Sequence, residues 1–197
     1  EVQLPCAAGT ITTTSGLGAC EPCSPGTFQT RSGSTTCEPC DRGSVCVEGS
    51  SAAVPCPEGR HANQTVVNAT GYLSDLAQCL ICPSGTYCGL GSHEPTPCPT
   101  ATYNDRADSA RCSECPAGTT TASTGAASLE ACVCKVDQYD RDPTANATDC
   151  VDCPYTETVC KEADAGVTLE TLPLREGYWR ASERSEILRQ CFSDHCE

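Results

Sequence analysis

Cysteine is the residue that most constrains this chain, because it supplies 20 of the 197 residues. About one residue in ten is the cysteine density of disulfide-stabilised scaffolds. Val, Leu, Ile and Phe together supply only 27 residues, and the formal net charge is −14. A chain with so few large apolar side chains and so much charge is ordinarily disordered. We therefore expect disulfides to take the place of a large hydrophobic core, and we do not expect a large α/β enzyme domain.

Charge and hydropathy argue against two further classes of protein. The 26 acidic residues outnumber the 12 basic ones, so the chain lacks the positive charge that binding to phosphates requires, and we expect no nucleic-acid partner. No apolar stretch approaches the roughly 18 residues of a bilayer-spanning helix, so we expect no direct membrane insertion in this fragment. The chain opens on Glu1 without a Met start or a signal peptide, which indicates a processed chain or a piece of a larger protein.

Five cysteine pairs have C-x-x-C spacing, and the first two pairs have the separation typical of a zinc ribbon. Cysteines that belong to no such ribbon follow the same rhythm, however, and three N-glycosylation sequons begin at Asn63, Asn68 and Asn146. A dense, even set of cysteines combined with sequons is typical of the secretory pathway. We therefore predict disulfides rather than zinc, an extracellular or cell-surface location, N-linked glycans at these three asparagines, and no cofactor.

The cysteines repeat along the chain. Residues 37–57 recur as residues 79–99, with each cysteine shifted by 42 positions, which indicates an internal duplication. A smaller unit, C-x-x-G-T followed by about nine residues and C-x-x-C, opens at several cysteines. Its Gly predicts a turn with positive φ or a backbone too crowded for a Cβ. A second Gly, ten residues after the opening cysteine, predicts the turn of a short β-hairpin, and it lies at Gly16, Gly33 and Gly125.

Consecutive pairing of the cysteines uses all twenty and lets each C-x-x-C connect two neighbouring loops, although spacing alone does not prove a connectivity. An interlaced pairing, first to third and second to fourth, is the alternative within 40–56, 82–98 and 134–160. Each local loop restricts the unfolded chain by roughly 2–4 kcal/mol. The predicted disulfides are Cys6–Cys20, Cys23–Cys37, Cys40–Cys46, Cys56–Cys79, Cys82–Cys88, Cys98–Cys112, Cys115–Cys132, Cys134–Cys150, Cys153–Cys160 and Cys191–Cys196.

We predict a small disulfide-rich fold of β-hairpins and loops with little or no helix, in which cysteine-rich repeats stack into an elongated rod. The long loop between Cys56 and Cys79 carries two sequons and is expected to project from the rod. The predicted organisation is tandem repeats over 1–132, a divergent cysteine-rich unit over 133–160, a linker over 161–173, and a hairpin segment over 174–197 that continues beyond this fragment.

The stretches Cys82-Pro-Ser-Gly-Thr-Tyr-Cys88 and Cys115-Pro-Ala-Gly-Thr119 resemble the GCC2/GCC3 repeat, also called ephrin-receptor-like. A near match opens at Cys23, and tumour-necrosis-factor-receptor and EGF-like modules are more distantly similar. The resemblance covers about residues 6–132 and implies an extracellular cysteine-rich module. Beyond it the cysteine rhythm persists over 134–160, but Asp137 stands where the repeat has Gly, so the sequence leaves the turn of that unit undecided.

The stretch Leu174-Arg-Glu-Gly-Tyr-Trp-Arg180 resembles the segment that follows such repeats in large extracellular proteins of algae and other protists. We predict two strands, Gly177–Arg180 and Glu186–Cys191, with Trp179 packed between them or against nearby disulfides. Aromatic residues and Arg are also enriched at the energetic centres of interfaces. The candidate interface residues are therefore Tyr178, Trp179 and Arg180.

Catalytic and metal sites have little support in the sequence. His61, His93 and His195 lie in different repeat units, so we predict surface histidines and no enzyme. An acidic run could offer oxygen ligands to calcium, but it lacks the spacing of a calcium loop. We predict a solvated acidic loop, with weak calcium binding as the alternative, at Asp137, Asp140, Asp142, Asp149 and Asp152.

Two functions fit these observations. The first is a rigid, glycosylated structural segment of a larger cell-surface or secreted assembly, such as a flagellar hair (mastigoneme) or another protist surface filament. The second is the ectodomain of a receptor or adhesion protein that binds a protein ligand. The expected partners are other extracellular proteins or copies of this chain, and fold alone does not choose between the two functions.

Overall fold

The computed structural model describes residues 4–12, 19–144, 148–160 and 165–191. The chain forms two compact units. The first contains Glu1–Thr96 and Arg106–Arg111, and the second contains Pro97–Asp105 and Cys112–Glu197. Each unit is described below by its own elements.

The first unit consists of very short antiparallel hairpins, which pair β1 with β2, β3 with β4, and so on in chain order. Helix α1 spans Gln64–Thr70, and a 3-10 turn spans Leu76–Gln78. The strands are β1 (Thr10–Ile11), β2 (Glu21–Pro22), β3 (Thr27–Phe28), β4 (Glu38–Pro39), β5 (Ser44–Val45), β6 (Val54–Pro55), β7 (Arg60–Ala62), β8 (Cys79–Ile81), β9 (Thr86–Tyr87) and β10 (Thr96–Pro97).

The second unit continues with hairpins of the same kind, except that β15 lies between β16 and the parallel strand β17 in a three-stranded sheet. A 3-10 turn spans Leu129–Ala131. The strands are β11 (Thr102–Tyr103), β12 (Ser113–Glu114), β13 (Thr119–Thr121), β14 (Cys132–Cys134), β15 (Gln138–Asp140), β16 (Cys150–Asp152), β17 (Val167–Thr168), β18 (Tyr178–Arg180) and β19 (Leu188–Gln190).

The repeating element is a rung. We define a rung as the segment from the cysteine that opens a C-x-x-G turn to the residue before the next cysteine that opens such a turn. The rungs 6–22, 23–39 and 40–55 are examples in the first unit. Each opens with the same turn, as in the Thr27 N–H that donates to the Ser24 carbonyl at 3.0 Å. The next opening cysteine then closes the rung, as in the Cys40 N–H that donates to the Gly26 carbonyl at 2.9 Å.

Backbone hydrogen bonds also stack one rung on the next within each unit. In the first unit the N–H groups of Gly33 and Gly49 donate to the carbonyls of Cys6 and Cys23, both at 2.8 Å. In the second unit the Gly125 N–H donates to the Cys98 carbonyl at the same distance. Because each rung buries too little to fold alone, this stacking supplies contacts that a core would otherwise give.

The second glycine of the repeat was predicted to lie in the turn of a short β-hairpin, and at the described positions it lies in the loop of such a hairpin. The strands that flank Gly33 end at Phe28 and resume at Glu38, so a long loop rather than a two-residue turn connects them. The positive φ of Gly33, +75°, instead aims its N–H at the neighbouring rung. Gly125 behaves in the same way, and Gly16 lies outside the described residues.

The opening turn needs the first glycine for both of the reasons that the sequence suggested. At Gly9, φ is +82° and an added Cβ would lie 2.2 Å from the Gly49 carbonyl oxygen. At Asp137, where the sequence left the turn undecided, φ is +73° and the turn is kept. Asp tolerates the left-handed region better than most residues do, which explains how the divergent rung retains the fold.

The structure forms nine disulfides among the described cysteines, and all of them follow the consecutive pairing (Cys6–Cys20, Cys23–Cys37, Cys40–Cys46, Cys56–Cys79, Cys82–Cys88, Cys98–Cys112, Cys115–Cys132, Cys134–Cys150 and Cys153–Cys160). The interlaced alternative is not observed in them. Cys191 is also disulfide-bonded, but the predicted partner Cys196 lies outside the described residues.

Cysteines form most of the interior. Of the 20 buried apolar residues in the described part of the chain, 12 are cysteines. The remainder gather in two small clusters, one around Leu73 in the first unit and one around Leu169 and Leu172 in the second. The fold is therefore a disulfide-rich series of β-hairpins, as the sequence predicted.

Two segments differ from the prediction. The long loop between Cys56 and Cys79 contains α1, whose Val67 is buried against the first cluster. The segment 161–173 was predicted to be a linker, but its described part is packed. It contributes β17 to the sheet and the buried side chains of Leu169 and Leu172, because these leucines can cover Tyr139 and Cys153.

Candidate functional site

A half-open cleft of about 450 Å³ lies in the second unit. Three segments form it: the loop between β15 and β16, the turn after β17, and the C-terminal hairpin of β18 and β19. Its lining is almost entirely charged or polar. The lining residues are Arg141, Asp142, Pro143, Thr144, Asp149, Leu169, Glu170, Arg184 and Glu186.

The two arginines of the cleft are held by carboxylates. The Arg141 guanidinium donates to Asp149 Oδ2 at 2.6 and 2.9 Å and lies 3.9 Å from Glu186 Oε1. The hydrogen bond to Asp149 raises the pKa of Arg141 above its usual value. Arg184 Nε donates to Glu170 Oε1 at 2.8 Å. These pairs are half-exposed, so each contributes modestly to stability, and an anionic ligand would have to displace a carboxylate.

Tyr139 lies beneath this charged layer with 8% of its surface exposed. Burial raises the pKa of its phenol, and the Glu186 carboxylate raises it further. The phenol therefore stays protonated at physiological pH. The charged side chains that line the cleft are suited to recognising a ligand of complementary charge.

The acidic run predicted as a solvated loop is engaged in its own hydrogen bonds. Asp140 Oδ1 accepts the backbone N–H groups of Asp142 and Asp149 at 3.2 and 3.1 Å. Asp152 Oδ1 accepts the Gln138 amide at 3.0 Å. Asp137 shapes the opening turn of its rung. In the part of the chain that the structure describes, no group of three His, Cys, Asp or Glu side chains could hold a metal ion.

The three candidate interface residues have different environments. Arg180 is turned inward, where its guanidinium donates to the carbonyls of Leu169 and Glu170. Tyr178 is half-buried, whereas Trp179 is 40% exposed and lies opposite Arg189 in the hairpin. Arg180 therefore has a structural role, and Trp179 is the member of the set most available to a partner.

The first two sequons lie at α1. Asn63 is the N-cap residue, and its Oδ1 accepts the Thr65 N–H at 3.0 Å. Asn68 lies within the helix and is exposed. Asn146 lies outside the described residues. Glycosylation uses the side-chain nitrogen, so the cap at Asn63 and a glycan on the same residue are compatible.

Two of the three histidines are described. Helix α1 contacts the loop after β9 through Gln64. The Gln64 Nε2 donates to the His93 carbonyl at 2.6 Å and lies 2.9 Å from His93 Nδ1. His61 Nδ1 lies 2.9 Å from the Ala62 carbonyl. His195 lies outside the described residues. Both described rings make local structural contacts.

Comparison with known families supports the repeats. A family model described as tyrosine-protein kinase ephrin type A/B receptor-like matches residues 9–54 and 85–132, slightly less than half of the chain. Both segments are similar to ephrin-receptor-like repeats. No curated protein gives a significant match to the chain.

The ephrin-receptor-like match leaves out residues 55–84, the part that contains α1 and its long disulfide loop. The predicted resemblance over 6–132 is therefore supported over 9–54 and 85–132. The match also ends before the cleft. Sequence reasoning missed the cleft residues Arg141, Glu170, Arg184 and Glu186, because pairs so distant along the chain leave no local pattern.

Proposed function

We propose that this chain is a rigid, glycosylated structural segment of a larger cell-surface or secreted assembly and has no catalytic role. The observation that carries the proposal is the stacking of rungs, in which disulfides close successive hairpins and backbone hydrogen bonds join each rung to the next. Ephrin-receptor-like repeats with many disulfides fit an extracellular module. In the described ranges, no helix has the length and apolar composition that crossing a bilayer needs.

A protist surface filament, such as a flagellar hair, is the specific assembly that we propose. It is supported by the resemblance of the tail around Gly177–Arg180 to large extracellular proteins of algae and other protists. Filament proteins also benefit from repeats whose stability is local, because each repeat holds its shape independently of distant parts of the chain.

Electron microscopy of the protein extracted from its native surface without reductant tests this proposal. A regular filament or sheet that contains the chain, located with an antibody, is the expected result. Dispersed single molecules with no ordered assembly would overturn it. Extraction with reductant is the matched control, since loss of the disulfides should also disperse the assembly.

The second candidate is a receptor or adhesion ectodomain that binds a protein ligand, and the outward position of Trp179 favours it. Trp is enriched among residues that dominate binding energy. If labelled protein binds its native cell surface, Trp179→Ala should weaken that binding at least tenfold under this second function. Leu90→Ala is the control, because Leu90 is 66% exposed and lies in the other unit. Equal binding by both variants would leave the receptor function without its supporting observation.

A further inference from the structure

The longest stretch of the chain without a cysteine lies between Cys160 and Cys191 and contains 30 residues. With consecutive pairing, every other stretch between two disulfide loops is short. The next longest contain nine residues each, between Cys46 and Cys56 and between Cys88 and Cys98. The stretch between Cys160 and Cys191 is therefore unusually long for a part of this chain that lies outside the disulfide loops.

The last part of this stretch repeats the backbone pattern of a rung. Leu174-Arg-Glu-Gly177 takes the place of an opening C-x-x-G. The Tyr178 N–H donates to the Arg175 carbonyl at 3.2 Å, and the Cys191 N–H donates to the Gly177 carbonyl at 2.8 Å. Both hydrogen bonds recur at equivalent positions in the disulfide-closed rungs, and Gly177 has the same left-handed backbone, with φ of +85°.

Leucines occupy the two positions at which three of the other rungs have their disulfide. Leu174 and Leu188 are 14 residues apart, which is the separation of Cys6–Cys20, Cys23–Cys37 and Cys98–Cys112. Leu188 also precedes Cys191 with the spacing of a C-x-x-C pair. Segment 174–190 is therefore a rung of the same fold that lacks a covalent closure.

Non-covalent contacts hold this part of the chain in place. The Arg180 guanidinium donates to the carbonyls of Leu169 and Glu170, and Arg184 pairs with Glu170. Leu169 and Leu172 are 5% and 4% exposed, and β17 pairs with β15. All of these contacts can break and re-form without any change in a disulfide.

We propose that residues 165–190 are the extensible segment of the chain, which unfolds under tension and lengthens the chain while the disulfides remain intact. Tension passes through a disulfide and bypasses its loop, so a closed loop adds no length. The stretch from Cys160 to Cys191 can extend to about 100 Å, at ~3.3–3.6 Å per residue. This inference concerns the mechanics of the chain and stands whether or not the proposed structural role holds.

Cysteines introduced at the two leucine positions test the assignment of the rung. In L174C/L188C we expect a new disulfide between these positions, found by peptide mapping of the unreduced protein, with the other disulfides unchanged. Failure of the two positions to pair, or a rearranged set of disulfides, would overturn the assignment and the proposal with it.

Force spectroscopy of the 197-residue chain, held at both ends, tests the extension. We expect one dominant step of up to about 100 Å, shortened by about 45 Å in L174C/L188C, because the new disulfide bypasses the residues between positions 174 and 188. The matched control L174A/L188A should open at lower force and release the full length. A chain with no dominant step, or a cross-linked variant that still releases the full length, would overturn the proposal.

Discussion

Single glycines in this fold are required for two separable reasons, and two positions in the first unit isolate them. Gly43 is buried without a left-handed φ, and an added Cβ would lie 1.9 Å from the Gly91 carbonyl oxygen. Gly71 has φ of +86° and nothing within 4 Å of its Cβ position. Gly43 is therefore required because a Cβ would clash with the backbone, and Gly71 because its backbone is left-handed.

Gly43→Ala should therefore destabilise the protein more than Gly71→Ala does. Backbone conformation costs about 1 kcal/mol at Gly71, whereas a Cβ forced against a backbone carbonyl at Gly43 should cost at least ~2 kcal/mol. Calorimetric unfolding of both variants with disulfides intact measures the difference. Equal costs would mean that the neighbouring rung yields readily at this contact.

Asn63 and Asn68 allow the glycan and the helix cap to be tested separately. Asn63→Gln should remove a glycan and also the N-cap of α1, at a cost of about 1 kcal/mol, whereas Asn68→Gln should remove a glycan at little cost, since its side chain is exposed. Intact mass with and without glycosidase, followed by thermal unfolding of the deglycosylated variants, measures both effects. If either variant loses as much mass on glycosidase treatment as the unsubstituted protein does, the prediction at that site is contradicted.

The buried phenol of Tyr139 predicts a loss of stability at alkaline pH. Its pKa in the folded state is raised above 10.0 by burial and by Glu186. The stabilising contribution is thus complete below pH 10 and is lost as the pH rises through the folded-state value. Phenolate absorbance of the native protein, minus that of Tyr139→Phe, should titrate above pH 10. A midpoint at or below the ordinary tyrosine value would contradict this assignment of the buried residue.

At the level of the element, the opening turn of a rung accepts some residues in place of its glycine better than others. Asp137 adopts φ of +73° where other rungs have Gly. Asp137→Gly should stabilise the second unit by up to about 1 kcal/mol, and Asp137→Val should destabilise it, because β-branched residues fit this region poorly. Thermal unfolding of the two variants gives the order. A lower melting temperature for Asp137→Gly would show that the Asp side chain contributes more than the strain costs.

The rungs were largely predictable because their signal is local. Cysteine spacing gave the consecutive pairing, and the C-x-x-G pattern gave the opening turns. Helix α1 was missed, although Asn63 and Gly71 form its two caps, because its β-branched residues have low helix propensity. Its stability depends on Val67 packing with Val45 and Leu73, and no local sequence pattern indicates such tertiary contacts.

The candidate site was less predictable than the fold. Arg141 meets Glu186 in space, but nothing between them in sequence indicates the contact. Arg180 was assigned to an interface from its residue type, whereas its position in the hairpin directs it to backbone carbonyls. Residue type alone did not give the role of Arg180, because its orientation in the hairpin decides what the guanidinium contacts.

Across the whole molecule, stability comes from many local restraints rather than one core. The longest described disulfide loop joins Cys56 and Cys79, which are 23 positions apart, whereas Cys40 and Cys46 are six positions apart. Because a longer loop restricts the unfolded chain more, C56A/C79A should cost about 3 kcal/mol and C40A/C46A about 2 kcal/mol. Denaturant unfolding of both variants measures the two values. A reversed order would indicate that packing around the sulfurs outweighs loop entropy.

The consecutive disulfides also have a consequence for synthesis. Each described pair joins cysteines 6 to 23 positions apart with no other cysteine between them, so the correct partner of each of these cysteines is the one translocated immediately before or after it. A short loop closes far faster than thiols exchange, so the two thiols of a native pair meet many times before a disulfide forms. Oxidation in the order of translation therefore yields the native connectivity without the slow reshuffling that long-range pairings demand.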